Sequence, residues 1–173
     1  KHNRCKVYLW DNPFNYSAIN NFGRTKANGK FLILLNNDTE VITPNWIEEL
    51  VGQAAQKEIG AVGPLLRYPD RKIQHAGVVL GMTGMAGHVF RLKEPTEWTD
   101  FGLPCWPRNY LAVTGACLVI DARKYDEIGG LDETFTIAGN DVALGISLYN
   151  KGYRNVYWPF AELIHYENVS VGS

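Results

Sequence analysis

The sequence predicts an α/β domain, an open sheet flanked by helices, and three observations carry that reading. Five consecutive apolar residues, Phe31–Leu35, are too few to span a membrane and too uniform for a half-exposed strand, so they read as a strand buried on both faces. The short apolar run Val7–Trp10 and a helical pattern from Asn15 precede it, and strand, helix, strand within roughly thirty residues is a βαβ unit with a parallel pair. Further on, helical patterns after Thr43-Pro44 and over Asn140–Tyr149 alternate with extended runs.

In the first helix Asn15 is the cap, Ala18, Ile19, Phe22 and Ala27 form the apolar face, and Gly29 is the stop. Thr43 and Pro44 open the next helix as cap and first-turn proline, and Trp46, Ile47, Leu50, Val51 and Ala54 give it a stripe as far as about Lys57. Ala61–Leu66 is a strand, 68–71 a turn and Ile73–Leu80 an extended run. Gly81–Tyr110 has several glycines and prolines and no period, the mark of a functional or mobile loop. Tyr110–Ile120 is a buried strand interrupted at Thr114-Gly115-Ala116, where small residues allow a close approach to the backbone. Asp121 caps a short helix to Glu127, Asn140–Tyr149 is the last helix, and Arg154–Trp158 and Glu162–Tyr166 are closing strands before a frayed tail.

With 173 residues, 46% hydrophobic and 20% charged, the chain suffices for one domain, so residues 1–173 are read as a single unit. A net charge of −1 without a long basic run argues against nucleic acid or an anionic membrane face as partner. No stretch approaches a transmembrane helix, and the first residues do not resemble a signal peptide. Cys5, Cys105 and Cys117 lack zinc-like spacing, so free thiols in a reducing cytoplasm are expected, with Cys117 in the core.

Three polar groups stand at the ends of these elements. Asp38 follows a buried strand, where open α/β sheets bind ligands and a carboxylate suits a hard divalent cation; Asn-Asn-Asp-Thr is equally good turn chemistry. Asp141 opens a helix, as a functional group or as a favourable charge near its N-terminus. His165 ends a late strand, as a functional group or as a hydrogen-bonded structural histidine.

The order of Asn21-Phe22-Gly23, FLILLNND, VTGACLVI, IGGLDETF, NDV on a helix, GYR and HYE resembles the inverting glycosyltransferases of family 2. PFNYSAINN, IQHAGVVLG and Gly87-His88 are similar to the rhamnosyltransferase-like branch of bacterial surface polysaccharide synthesis. The resemblance covers nearly the whole chain. It implies a GT-A-like, Rossmann-like mixed sheet, mostly parallel and flanked by helices, truncated at the N-terminus where the family binds the base and ribose.

By position, the family's Asp-x-Asp metal motif falls on Asn36-Asn37-Asp38, leaving Asp38 its only carboxylate and Asn36 and Asn37 toward the donor nucleotide. The late metal-binding histidine falls on His165, and the implied cofactor is Mn2+ or Mg2+. The catalytic base falls on Asp141, Thr114, Gly115 and Ala116 border the donor sugar, and Asn140 and Trp106 stand at the acceptor, where Trp98 is a further stacking candidate and Tyr110 either stacks there or packs in the core. Arg24 and Lys26 are candidate phosphate contacts or solvated charges, and His75 and His88 recur in the branch, where structural hydrogen bonding is their expected role. Two departures stand out: Ala143 replaces a family aspartate, and Gly145 costs a helix about 1 kcal/mol relative to alanine.

The implied partners are a UDP- or dTDP-linked sugar and a glycan acceptor, with no nucleic acid, possible self-association through the truncated face, and a cytoplasmic location, the longer parent reaching the inner face of a membrane. The alternatives are a non-catalytic GT-A-like domain that binds a glycan or protein and, behind it, a nucleotidyltransferase, which usually opens with a Gly-rich loop that this sequence lacks.

Overall fold

The structure is a computed structural model and describes residues 5–84 and 86–167. The expected frayed tail lies, from residue 168 on, outside the described residues. The elements run α1 (Tyr16–Lys26), β1 (Phe31–Leu35), β2 (Thr39–Val41), α2 (Trp46–Ala54), β3 (Ile59–Arg67), β4 (Ile73–His75), β5 (Val78–Leu80), a 3-10 turn at Met82–Gly84, β6 (Ala86–His88), β7 (Arg108–Tyr110), β8 (Cys117–Asp121), α3 (Ala122–Glu127), α4 (Asn140–Asn150) and β9 (Arg154–His165).

The main sheet has the order β1-β8-β3-β9-β2, with β4 also on β3 and β7 on β9, while β5 and β6 form a separate hairpin. It is mixed, as expected, and flanked by helices. Its balance is the reverse of the expected one: β3 with β9 is the only parallel pairing among the described strands. The expected βαβ opening is also absent, since Val7–Trp10 is unpaired, with Val7 and Leu9 exposed. Without that strand, β1 meets β8 antiparallel, from Phe31 opposite Asp121 to Leu35 opposite Cys117.

β1 is consequently an edge strand. Leu32 and Leu34 are buried, but Ile33 is 36% and Leu35 45% exposed, so the expected burial on both faces is not met. That environment belongs to β8, whose residues are all buried and face opposite sides in turn. Cys117 and Val119 pack with Leu50, Val62, Leu66 and Leu163 under α2. Leu118 and Ile120 pack with Leu32, Tyr125, Leu144 and Leu148 under α3 and α4.

The cap readings hold for two helices: the Asn15 side chain accepts from Ala18 N at 3.0 Å and Asp121 from Arg123 N at 2.8 Å. The α2 helix starts later than Thr43-Pro44 implies, because the Thr43 hydroxyl is occupied by the backbone N–H of Glu162 at 3.0 Å. The two closing strands are one, β9, with a register shift opposite Pro64/Leu65. Ile73–Leu80 is broken at Gly77, whose φ of 115° suits glycine and against which the Tyr110 ring packs. Tyr110 also lies against Tyr157, so it is a packing residue.

Gly145 has a physical reason. A methyl group there would meet the carbonyl oxygen of Leu111 and the Cα and Cβ of Ala112, so α4 lies this close to the 111–112 backbone only without a side chain. Asn155 Nδ2 holds the contact by donating to Leu111 O at 2.7 Å and to Gly145 O at 3.0 Å. Alanine would gain about 1 kcal/mol in helix propensity and lose about 1–3 kcal/mol to overpacking. Gly145→Ala is therefore expected to lower stability by up to about 2 kcal/mol in urea unfolding, and a more stable variant would contradict this packing.

Behind the break at Gly77, His75 is fully buried and its Nδ1 lies 2.8 Å from Nδ1 of His88. Burial, then the facing His88, holds the His75 pKa well below its ordinary value. Burial also lowers His88, opposed by the carboxylates of Asp141 and Glu167 and assisted by Arg91 and His165. Below pH about 6.5 the unfolded chain takes up protons that the folded chain refuses, so stability is intact above that pH and falls below it. The limit is about 1.4 kcal/mol per pH unit for each proton. Urea midpoints taken from pH 7.5 to 5.5 should fall, with a shallower slope in His75→Gln; equal slopes in the two proteins would contradict the neutral buried pair.

Candidate active site

β2 pairs antiparallel with the end of β9, Thr39 standing opposite His165. That register sets Asp38, in the turn before β2, beside the imidazole: Asp38 Oδ1 is 3.1 Å from His165 Nε2. The turn reading of this segment is true as well, since the Thr39 hydroxyl donates to Asn36 O at 2.9 Å. Asn36 Nδ2 lies 3.3 Å from the same imidazole nitrogen, whereas Asn37 is exposed.

Gln74 fixes the tautomer of His165. Its Nε2 donates to His165 O at 3.2 Å and to Glu167 Oε2 at 3.3 Å, which turns its Oε1 toward His165 Nδ1 at 2.8 Å. An amide oxygen only accepts, so Nδ1 carries a proton, and Nε2 faces Asp38 with the Asn36 amide beside it. Asp38 Oδ1 is buried and receives no hydrogen bond. The 3.1 Å contact joins a carboxylate oxygen to an imidazole nitrogen, and either a proton on Nε2 or a metal ion between the two makes it favourable. Cis ligands of an octahedral ion with bonds of about 2.1 Å lie about 3.0 Å apart, so the pair fits a divalent ion. No cluster of three or more His, Cys, Asp or Glu side chains occurs among the described residues, so such an ion would take the rest of its shell from ligand and water.

The Thr114–Ala116 stretch ties this pair to Asp141. Ala116 O accepts from Asn36 N at 2.9 Å, and Gly115 N donates to Asp141 Oδ2 at 3.0 Å. Tyr16 braces the stretch by donating to Gly115 O at 2.6 Å, and burial, followed by the Asp141 charge, raises its pKa and keeps it a donor. Asp141 also accepts from Val142 N at 2.8 Å, which leaves about two of its four lone-pair sites for a ligand. It opens on a cavity of about 660 Å³ with largely apolar walls, including Val78, Leu80, Phe135, Ile137 and Ile146. Ala143 lines it too, at the place where the family pattern has an aspartate.

Asn140 is 5% exposed, and its amide is engaged: Oδ1 accepts from Asp141 N at 2.8 Å and Nδ2 donates to Ile137 O at 3.2 Å. It fixes the helix start that carries Asp141. Trp106 stands apart, edge-on to Trp98 with ring centroids 5.6 Å apart; Trp98 lines a neighbouring cavity of about 480 Å³. His88 borders both cavities. Arg24 is held by Asp126 through two bonds of 2.8 and 2.7 Å, and Lys26 sits 4.9 Å from the Phe22 ring centroid, so neither faces this site. Sequence reading missed Gln74 as the orienting partner of His165, because that contact depends on the pairing of β3 with both β4 and β9.

No family model matches the chain. It is 49% identical over 168 residues to an O-antigen biosynthesis protein, RfbC, of Myxococcus xanthus, covering 96% of this chain and 13% of that protein. It is 29% identical over 150 residues to an N-acetylglucosaminyl-diphospho-decaprenol L-rhamnosyltransferase of Mycobacterium tuberculosis, covering 82% of this chain and 48% of the relative. The chain thus spans less than half the length of either. Among solved structures, GalNAc-T7 with UDP, GalNAc and Mn2+ superposes with a TM-score of 0.74 at 18% identity, covering 95% of this chain and 33% of that one. The resemblance to rhamnosyltransferase-like glycosyltransferases is borne out by these relatives, and the fold is that of a GT-A glycosyltransferase.

Proposed function

We infer that the chain is the catalytic portion of a metal-assisted, inverting glycosyltransferase, moving a sugar from a nucleoside diphosphate to a hydroxyl of a glycan acceptor. The observation that carries this is the buried Asp38 oxygen facing Nε2 of His165 at 3.1 Å, linked through Thr114–Ala116 to the open carboxylate of Asp141. The relatives' names, in O-antigen synthesis and rhamnosyl transfer, support the same reading, as does a structural neighbour solved with UDP and Mn2+.

Asp38 and His165 would hold the Mn2+ or Mg2+ ion, with the imidazole favouring manganese modestly. Such an ion, when bound, supplies positive charge against the leaving diphosphate. Asn36, Asn37 and the Thr114–Ala116 backbone border the donor, which we assign to the UDP- or dTDP-linked class. Asp141, anchored by Gly115 and Val142, accepts the proton of the acceptor hydroxyl as that oxygen attacks the anomeric carbon. Attack from the face opposite the leaving group inverts the centre in one displacement. The apolar walls of the cavity exclude water that would otherwise compete as acceptor. Trp106 and Trp98 offer aromatic faces to the acceptor's outer sugars, and Asn140 acts through Asp141.

No helix among the described residues is long and apolar enough to cross a membrane, and the three cysteines are free, which suits the cytoplasmic side on which we place the reaction. The unpaired edge of β1, with Ile33 and Leu35 outward, favours self-association.

In the longer protein, Asp141→Asn should lower kcat by at least about 10²-fold with an unchanged circular dichroism spectrum, and a near-normal rate would remove Asp141 as base. Gln74→Ala frees the His165 ring and should weaken Mn2+ binding about 10–100-fold by calorimetry, whereas unchanged affinity would contradict the fixed tautomer.

A further inference from the structure

The two histidines behind the cavity form a chain of hydrogen bonds whose direction is fixed from one end. Thr114 N, a backbone donor, lies 3.4 Å from His75 Nε2. That nitrogen must therefore accept, so the proton of His75 is on Nδ1. From there it is donated to His88 Nδ1 at 2.8 Å. His88 consequently carries its own proton on Nε2. No hydrogen bond to that atom occurs among the described residues, and it is not buried without a partner.

His88 borders the cavity into which Asp141 opens, and it feels the charges of both Asp141 and His165. It thus lies on the wall of the cavity that holds the proposed base, within electrostatic reach of the proposed metal pair, and the sugar being transferred would lie in that cavity. The lowered pKa values of both rings keep the pair uncharged at neutral pH, so the group offered is a neutral N–H donor. Apart from Asp141 and Asn140 its other side-chain walls are apolar, so the cavity has few groups that can read a hydroxyl, and a donor held by a fully buried partner loses little freedom when it binds.

Building on the glycosyl-transfer reading, we propose that His88 is a substrate-binding residue whose Nε2–H donates to a hydroxyl of the transferred sugar, with His75 and the Thr114 backbone N–H as the positioning relay that fixes which nitrogen donates. A site built to satisfy a hydroxyl rejects an analogue that lacks it, so the dyad would contribute to choice among nucleotide sugars.

Two measurements test this. In the chain itself, long-range 1H–15N correlation spectra of the imidazoles at pH 7.5 should show His75 as the Nδ1–H tautomer and His88 as the Nε2–H tautomer. A His88 proton on Nδ1 would overturn the proposal, and this readout needs no turnover. In the longer protein, assayed with the UDP- or dTDP-sugar it turns over, His88→Ala should lower kcat/KM by about 10–100-fold. His88→Gln, which places an N–H near the position of Nε2, should recover most of that loss, and His88→Asn should recover little. A His88→Ala protein with unchanged kcat/KM, or equal loss in all three variants, would overturn the proposal while leaving the transferase reading intact if Asp141→Asn is inactive. Failure of the transferase reading shows separately, as an Asp141→Asn protein at normal rate, and takes the substrate role of His88 with it.

Discussion

The antiparallel register of β2 on β9 is the constraint on which the site depends. With Thr39 opposite His165, the turn carrying Asp38 is folded onto the imidazole, and a slip of one residue would send the imidazole to the other face of the sheet. β9 is held in turn by its parallel pairing with β3, the strand at the middle of the sheet. The core beneath both, from Leu50 through Val62 and Leu66 to Leu163, specifies that register through apolar burial, so the chemistry at the rim is positioned by packing well below it.

From this frame the electrostatics follow. Gln74, on β4, accepts from Nδ1 of His165 and so turns Nε2 toward the buried carboxylate oxygen of Asp38. A proton or a metal ion at that contact satisfies the oxygen, and an unpaired buried acceptor costs about 1–3 kcal/mol. On the far side of Gly115, Asp141 has the opposite situation: two backbone N–H groups anchor it while the rest of its carboxylate opens on the cavity. The surroundings of the two carboxylates thus differ, one buried against an imidazole and the other open to the cavity.

Much of this was legible in the sequence, because the signals were local. The break from apolar to polar at Leu35-Asn36, the acid opening α4 and the histidine ending β9 each announce themselves within a few residues, and the structure places all three around one stretch of backbone. What was not legible depended on pairing. β1 and β8 are both short apolar runs, and only the sheet order makes one an edge and the other central. The expected parallel opening rested on Val7–Trp10, which is apolar enough for a strand but has no described partner. Gln74 and the His75–His88 contact join residues whose proximity arises from β3, β4 and the β5-β6 hairpin, and no spacing in the sequence reports it. Gly145 looked like a helix defect until the backbone at 111–112 supplied its reason.

The central claim is that Asp38 and His165 share one divalent cation, joined to Asp141 through the Thr114–Ala116 backbone. A crystal of the chain soaked with Mn2+ and UDP, measured at the manganese absorption edge, tests it most directly. The account predicts one strong anomalous peak within about 2.3 Å of both His165 Nε2 and a carboxylate oxygen of Asp38, with the diphosphate on its open side. A manganese peak elsewhere, with the two side chains in direct contact and no ion between them, would contradict it.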